Sequence, residues 1–179
     1  MRVVCCMYKK FQGFTLIELI VVIVLVAVLA VVAAPRFLNL QSDARRSVVE
    51  GLAGAVTNAA EMAYGKAAVE GMEAIESYHV PNYGAVQYGY PSVSRGGMES
   101  FLQIDTGYHD LEREWVWAAH NNGSVSDPDW WIITQSQWLA DDNIVDFNKA
   151  IEDSLCYVKY TAAMEPGADF AVETITDGC

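Results

Sequence analysis

A single carboxylate, Glu18, stands inside an otherwise uncharged run reading FTLIELIVVIVLVAVLAVVAA from Phe14 to Ala34. An acid placed in hydrocarbon costs on the order of 3 kcal/mol on insertion scales, so such a residue is functional by default and calls for a cationic partner. The other titratable groups offer less. His79, His109 and His120 are scattered, with none in a helical zinc-ligand spacing. His109-Asp110-Leu111-Glu112 sets one imidazole beside two acids, which a solvated face explains better than a site. Asp127-Pro128-Asp129, and Asp141-Asp142-Asn143 with Asp146, carry the hard oxygen donors that calcium takes. Val145, however, falls where a twelve-residue calcium loop needs an oxygen, so surface turns and a helix cap are expected there. Trp130-Trp131 and the tyrosines Tyr78, Tyr83, Tyr88 and Tyr90 could stack on sugars, but core packing is the default for most of them. The sequence holds no glycine-flanked serine elbow and no glycine-rich phosphate loop. The expectation is therefore no enzyme, no catalytic residues, no cofactor and no metal site.

The element that must carry Glu18 is plain. About twenty apolar residues at a rise of roughly 1.5 Å each cross the hydrocarbon core of a bilayer. Arg2, Lys9 and Lys10 precede the run with no acid among them, which holds residues 1–13 in the cytoplasm and sends the body outward. A secretory signal peptide and a plain membrane anchor both account for the length. Against the first, Pro35 directly follows the small residues Val32-Ala33-Ala34 where a signal cut would fall, and neither reading explains the acid. Pro35 removes a helical hydrogen bond and bends or stops the helix. Beyond it Phe37, Leu40, Ala44, Val48, Leu52, Ala55, Ala59 and Met62 recur at spacings of three and four, an amphipathic stripe that continues the helix to near Tyr64. Gly51 and Gly54 read as close-packing sites under a sheet.

From Gly65 the texture changes to short segments broken by turns. A further helical piece fits Lys66–Ser77, and a helical turn Met98–Leu102. Strands are expected over 85–90, 115–120, 130–134, 156–161 and 170–175. Asn121-Asn122-Gly123-Ser124 favours a tight turn, and Glu165-Pro166-Gly167-Ala168 a type II turn. The expected fold class is α+β: a long bent N-terminal helix packed by its amphipathic half on a small antiparallel sheet. With 179 residues, 23 acids against 11 bases and a net charge of −12, the chain suits one modest domain with an appendage. Its charge repels phosphate backbones, so nucleic acid is excluded as a general partner.

Gly13-Phe14-Thr15-Leu16-Ile17-Glu18, after a short basic leader and before an apolar helix, resembles the signature of type IV pilin precursors. The resemblance implies a pilin-like fold and a cut by prepilin peptidase between Gly13 and Phe14, followed by N-methylation of Phe14. It further implies assembly through Glu18, which would pair with a neighbouring subunit's new amine, with Thr15 beside the pair and Pro35 bending the helix. On this reading residues 1–13 are a cleaved leader, 14–40 a transmembrane and filament-core helix, and 41–179 a globular head. Cys5 and Cys6 stay with the leader, without an expected role. Cys156 and Cys179 remain as an even pair in an oxidising compartment, and pilins carry a comparable C-terminal disulfide-bounded region. Partners implied are further copies in a homopolymer, the peptidase, the inner-membrane pilus assembly machinery and a surface or glycan receptor. The precursor would sit in the inner membrane of a Gram-negative bacterium, with its N terminus cytoplasmic, before joining an extracellular pilus. Ala34-Pro35-Arg36-Phe37-Leu38-Asn39-Leu40-Gln41 with Asp43-Ala44-Arg45, together with Tyr88-Gly89-Tyr90-Pro91 and Cys156-Tyr157-Val158-Lys159-Tyr160, is similar to the mannose-sensitive haemagglutinin group of these pilins. Such pilins form filaments for surface attachment, adhesion and early biofilm. The alternatives are a pseudopilin of a type II secretion system and a membrane-anchored periplasmic binding protein.

Overall fold

The computed structural model describes residues 13–139 and 144–179, with side chains left out at 35–39. The fold is α+β: a long N-terminal helix, α1 (Leu16–Val69), precedes two small sheets. The chain divides into two units, one up to Gln41 and one from Ser42 to Cys179.

The first unit, among the described residues, is helix from Leu16 onward. From Leu16 to Ala34 none of its residues is buried, and the span is long and apolar enough to cross a membrane. Its large apolar side chains stand open on every side, from Phe14 at 88% exposed down to Ile20 at 46%. Such a surface needs lipid or other protein around it. Pro35 lies within the helical backbone, and α1 runs on through it.

In the second unit the remainder of α1 supplies Val49, Leu52, Val56, Ala59, Ala60 and Ala63 to the main core. This corrects the expected stripe: Leu52 and Ala59 face the core, but Ala44, Val48 and Met62 are exposed. The helix carries alanine and valine on several faces, so apolar periodicity alone did not single out the packed one. Gly51 and Gly54 are also corrected. Both are exposed, and a Cβ at either would meet open space instead of a sheet. The helix runs one turn past Tyr64 and ends at a glycine. Gly71 takes φ +70°, Met72 N–H bonds back to Ala67 O at 2.8 Å and Gly71 N–H to Ala68 O at 3.1 Å. These are the paired closing bonds of a Schellman cap, so of the helical piece expected over 66–77 the residues to Val69 belong to α1 and turns and bends replace the rest.

The smaller sheet orders β1 (Tyr78–Val80), β2 (Gly84–Gln87) and β3 (Tyr90–Pro91), all antiparallel. The strand expected over 85–90 is thus a hairpin, folded at Tyr88-Gly89 with φ of +47° and +87°. Positive φ at both turn residues matches the twist of the flanking strands. Gly89 is required twice over, since a Cβ there would stand 2.8 Å from the Tyr64 ring.

The larger sheet orders β4 (Thr106–Tyr108), β5 (Trp115–His120), β6 (Trp130–Gln135), β7 (Tyr157–Thr161) and β8 (Ala171–Ile175). Strand β4 was not expected, and it pairs parallel to β5; the other pairs are antiparallel. Alternation along the strands divides their side chains between two layers. Trp115, Trp117, Trp131, Ile133, Val158 and Tyr160 join the α1 core. Ala118, Ile132 and Tyr157 turn the other way, onto Ile151 of α3 (Phe147–Ser154). Asp146 caps α3 by accepting the Lys149 N–H at 3.1 Å, as expected of a helix cap. The short helix α2 (Met98–Phe101) leads from the small sheet toward β4. Between β7 and β8, Gly167 has φ +81° and Ala168 N–H reaches Glu165 O at 3.2 Å, a type II turn. Cys156 and Cys179 are joined by a disulfide, their Cα atoms 5.0 Å apart.

Candidate functional site

The residues singled out by spacing gather where α1 begins. Gly13 is exposed, with open space around it, and Phe14 extends free of the chain. Thr15 precedes the first helical residue and Glu18 stands three further on, the arrangement of a capping box. Glu18 Oε2 accepts the Thr15 N–H at 2.9 Å and the Thr15 hydroxyl at 2.7 Å, while Thr15 Oγ1 accepts the Glu18 N–H at 3.3 Å. Two of the donors that a helix start leaves without partners are thereby met. The sequence already carried that signal, a threonine three residues before a glutamate at the head of an apolar run.

Glu18 is the only charge of the apolar span, and its Oε1 accepts no hydrogen bond among the described residues. The carboxylate is therefore half satisfied by its own helix, with one oxygen open to an outside donor. An unpaired charge in lipid is strongly disfavoured, whereas a paired one is tolerated. Hydrolysis of the Gly13–Phe14 peptide bond would create a cationic amine four residues from this acid. The arrangement can support association between copies.

The other candidates are committed elsewhere. Asp129 is buried and accepts the N–H groups of Asn122 and Gly123 at 2.8 and 2.9 Å. Asp127 accepts the Asn122 amide at 2.6 Å and lies 3.1 Å from His120 Nε2. These bonds shape an open nine-residue connection between β5 and β6, in place of the expected tight turn. Asp141, Asp142 and Asn143 lie outside the described residues, as do Cys5 and Cys6. Among the described residues no group of three His, Cys, Asp or Glu converges as a metal site. Trp131 is core, and Trp130 lies between the His120 ring and the Lys159 ammonium. Tyr90 stacks on Tyr64 at 4.9 Å, Tyr78 donates to Glu70, and Tyr83 lies under Lys66 Nζ at 3.6 Å. His109, at φ +55°, is held between the Tyr108 and Phe147 rings at 3.8 and 4.5 Å. Burial holds its pKa below the ordinary histidine value, helped by the Arg95 charge and opposed by Asp146.

Among known families, the prokaryotic N-terminal methylation motif matches residues 8–34. Neither the curated proteins nor the solved structures yield a match. The matched segment is a type IV pilin-like prepilin leader with the start of its apolar helix, and it implies processing by prepilin peptidase. With that helix it marks a membrane-anchored precursor, pilin-like or pseudopilin-like and structural in kind.

Proposed function

We propose that this chain is the precursor of a structural subunit of a type IV pilus, of the mannose-sensitive haemagglutinin type, which polymerises for surface attachment, adhesion and biofilm formation. One observation carries the reading: a glycine–phenylalanine junction and a lone half-satisfied glutamate stand in register at the head of an exposed apolar helix, inside the matched motif. Prepilin peptidase cuts between Gly13 and Phe14 on the cytoplasmic side and methylates the Phe14 amine. The freed segment from residue 14 to about 40 moves from lipid into the filament core under the inner-membrane assembly machinery. There the amine of one copy meets Glu18 of another, and the cost of an unpaired acid selects for correct placement. Thr15 holds the carboxylate in position, and Pro35 adapts the helix. The head, from 41 to 179, faces outward and meets a surface or glycan receptor. The Cys156–Cys179 disulfide favours a pilus over a type II secretion pseudopilin, because the major pseudopilins usually lack that bridge.

Mass spectrometry of the mature protein tests the cut, with a chain beginning at methylated Phe14 expected. A product beginning downstream of Pro35 and soluble in the periplasm overturns the reading. Glu18→Val relieves the buried charge yet removes the pairing acid; the expected outcome is stable, processed subunit with shed filaments reduced at least about tenfold, the share of one charged pair. Filaments at the normal yield would refute the role given to Glu18.

A further inference from the structure

The connection between β5 and β6 carries Asn122 followed by Gly123, both exposed. Before a glycine, the side-chain amide carbon of an asparagine meets the next backbone nitrogen with least hindrance, because that nitrogen has no Cβ beside it. Gly123 stands at φ +67°, with open space where a Cβ would lie. Around this pair are groups that a turn alone does not need.

Gly123 N–H donates to Asp129 Oδ1 at 2.9 Å, and Asn122 N–H reaches the same oxygen at 2.8 Å. Asp129 is only 2% exposed, so a carboxylate, screened from water, is held against the Gly123 nitrogen. Asn122 Oδ1 accepts the Ser124 N–H at 2.8 Å. That bond folds the side chain back along the Gly123 peptide and fixes a donor on its carbonyl oxygen. Asn122 Nδ2 donates to Asp127 Oδ2 at 2.6 Å and lies 3.1 Å from His120 Nε2. The imidazole in turn lies 3.1 Å from that Asp127 oxygen, which orients it. A base at the nucleophile, a donor at the carbonyl oxygen and an acid at the leaving nitrogen are the aids that acyl transfer uses.

We propose that Asn122 is a self-modifying site, at which the Gly123 nitrogen closes on the side-chain amide to form a succinimide that water opens to an acid. As the bond from Gly123 N to Asn122 Cγ forms, the N–H proton passes to Asp129 and the carbonyl electron pair moves onto Oδ1, where the Ser124 N–H stabilises it. Nδ2, now tetrahedral, takes a proton from the imidazolium form of His120. The carbonyl re-forms, the Cγ–Nδ2 bond breaks and ammonia leaves. Asp129 gives its proton up to water and His120 regains one from it. Water then adds to either imide carbonyl, leaving an aspartyl or a β-linked isoaspartyl residue at position 122. One water is consumed and one ammonia released, with no electrons exchanged. The product sets a carboxylate where Asp127 Oδ2 had an amide donor, so two like charges meet and the loop is driven open. The change needs no neighbouring copy and is independent of assembly.

Peptide mapping by mass spectrometry tests this on the full-length protein in detergent micelles, incubated at neutral pH. Isoaspartyl methyltransferase labelling and released ammonia give second readouts. The same protein unfolded in guanidinium chloride supplies the rate of the bare sequence. The folded chain should convert at Asn122 at least about tenfold faster than the unfolded one, a conservative share of what one positioned acid or base contributes. His120→Gln, which keeps a donor but has no proton to give up, should slow the folded chain by at least about tenfold. The comparison of folded with unfolded chain needs no variant, so a misfolded mutant does not spoil the test. The proposal is overturned if the folded chain converts no faster than the unfolded one, if His120→Gln converts at the wild-type rate, or if the other asparagines of the folded chain convert as fast as Asn122.

Discussion

Tyr160 shows how much one hydroxyl can hold. The residue is fully buried, its hydroxyl donates to the Pro91 carbonyl at 2.8 Å, and burial pushes its pKa well above the ordinary tyrosine value. This bond ties the main sheet to the small one. Tyr160→Phe keeps the ring and strands a buried carbonyl, at a cost of about 1–2 kcal/mol. Urea unfolding of the full chain in micelles should show that loss as a lower midpoint with an unchanged slope. Glu18 presents the same question in a different solvent: its own helix meets one oxygen and leaves the other to a partner. Both the acid and its threonine were legible as residues. That they bond each other reciprocally needed coordinates, because the pattern is equally compatible with a threonine that merely fills space.

At the scale of elements, legibility followed the strength of local chemistry. The apolar span, the strands of Trp115 and Trp130, the hairpin turn at Pro166-Gly167 and the cap at Asp146 all declared themselves through composition or turn residues. The packed face of α1 did not, since valine and alanine surround the helix. Strand β4 did not either: three residues pairing parallel to a later strand leave no pattern to read. Another cross-element device is the stack of Tyr108, His109 and Phe147, which links β4 to α3. The fold lowers the His109 pKa below its unfolded value of about 6.5. Its contribution is therefore complete above that value and is lost as pH falls through the lower folded pKa. Melting temperature should drop modestly on acidification from pH ~7 to ~5, the ring being partly exposed, and His109→Asn should flatten that slope. An equal slope in the variant would remove His109 from the account.

For the head as a whole, the Cys156–Cys179 disulfide closes a loop with a sequence separation of 23 residues around β7 and β8. A loop of that size stabilises by about 3 kcal/mol in the chain-entropy treatment. The double variant Cys156→Ser, Cys179→Ser should lose close to that amount in urea unfolding under oxidising conditions, and reducing agent should no longer affect it. The closed loop has a practical side as well. Its outer bend, Glu165-Pro166-Gly167, lies in the open and lends no side chain to either core cluster. A foreign epitope grafted there would hang from a stapled frame, and any polymer of this chain would then display it at every repeat.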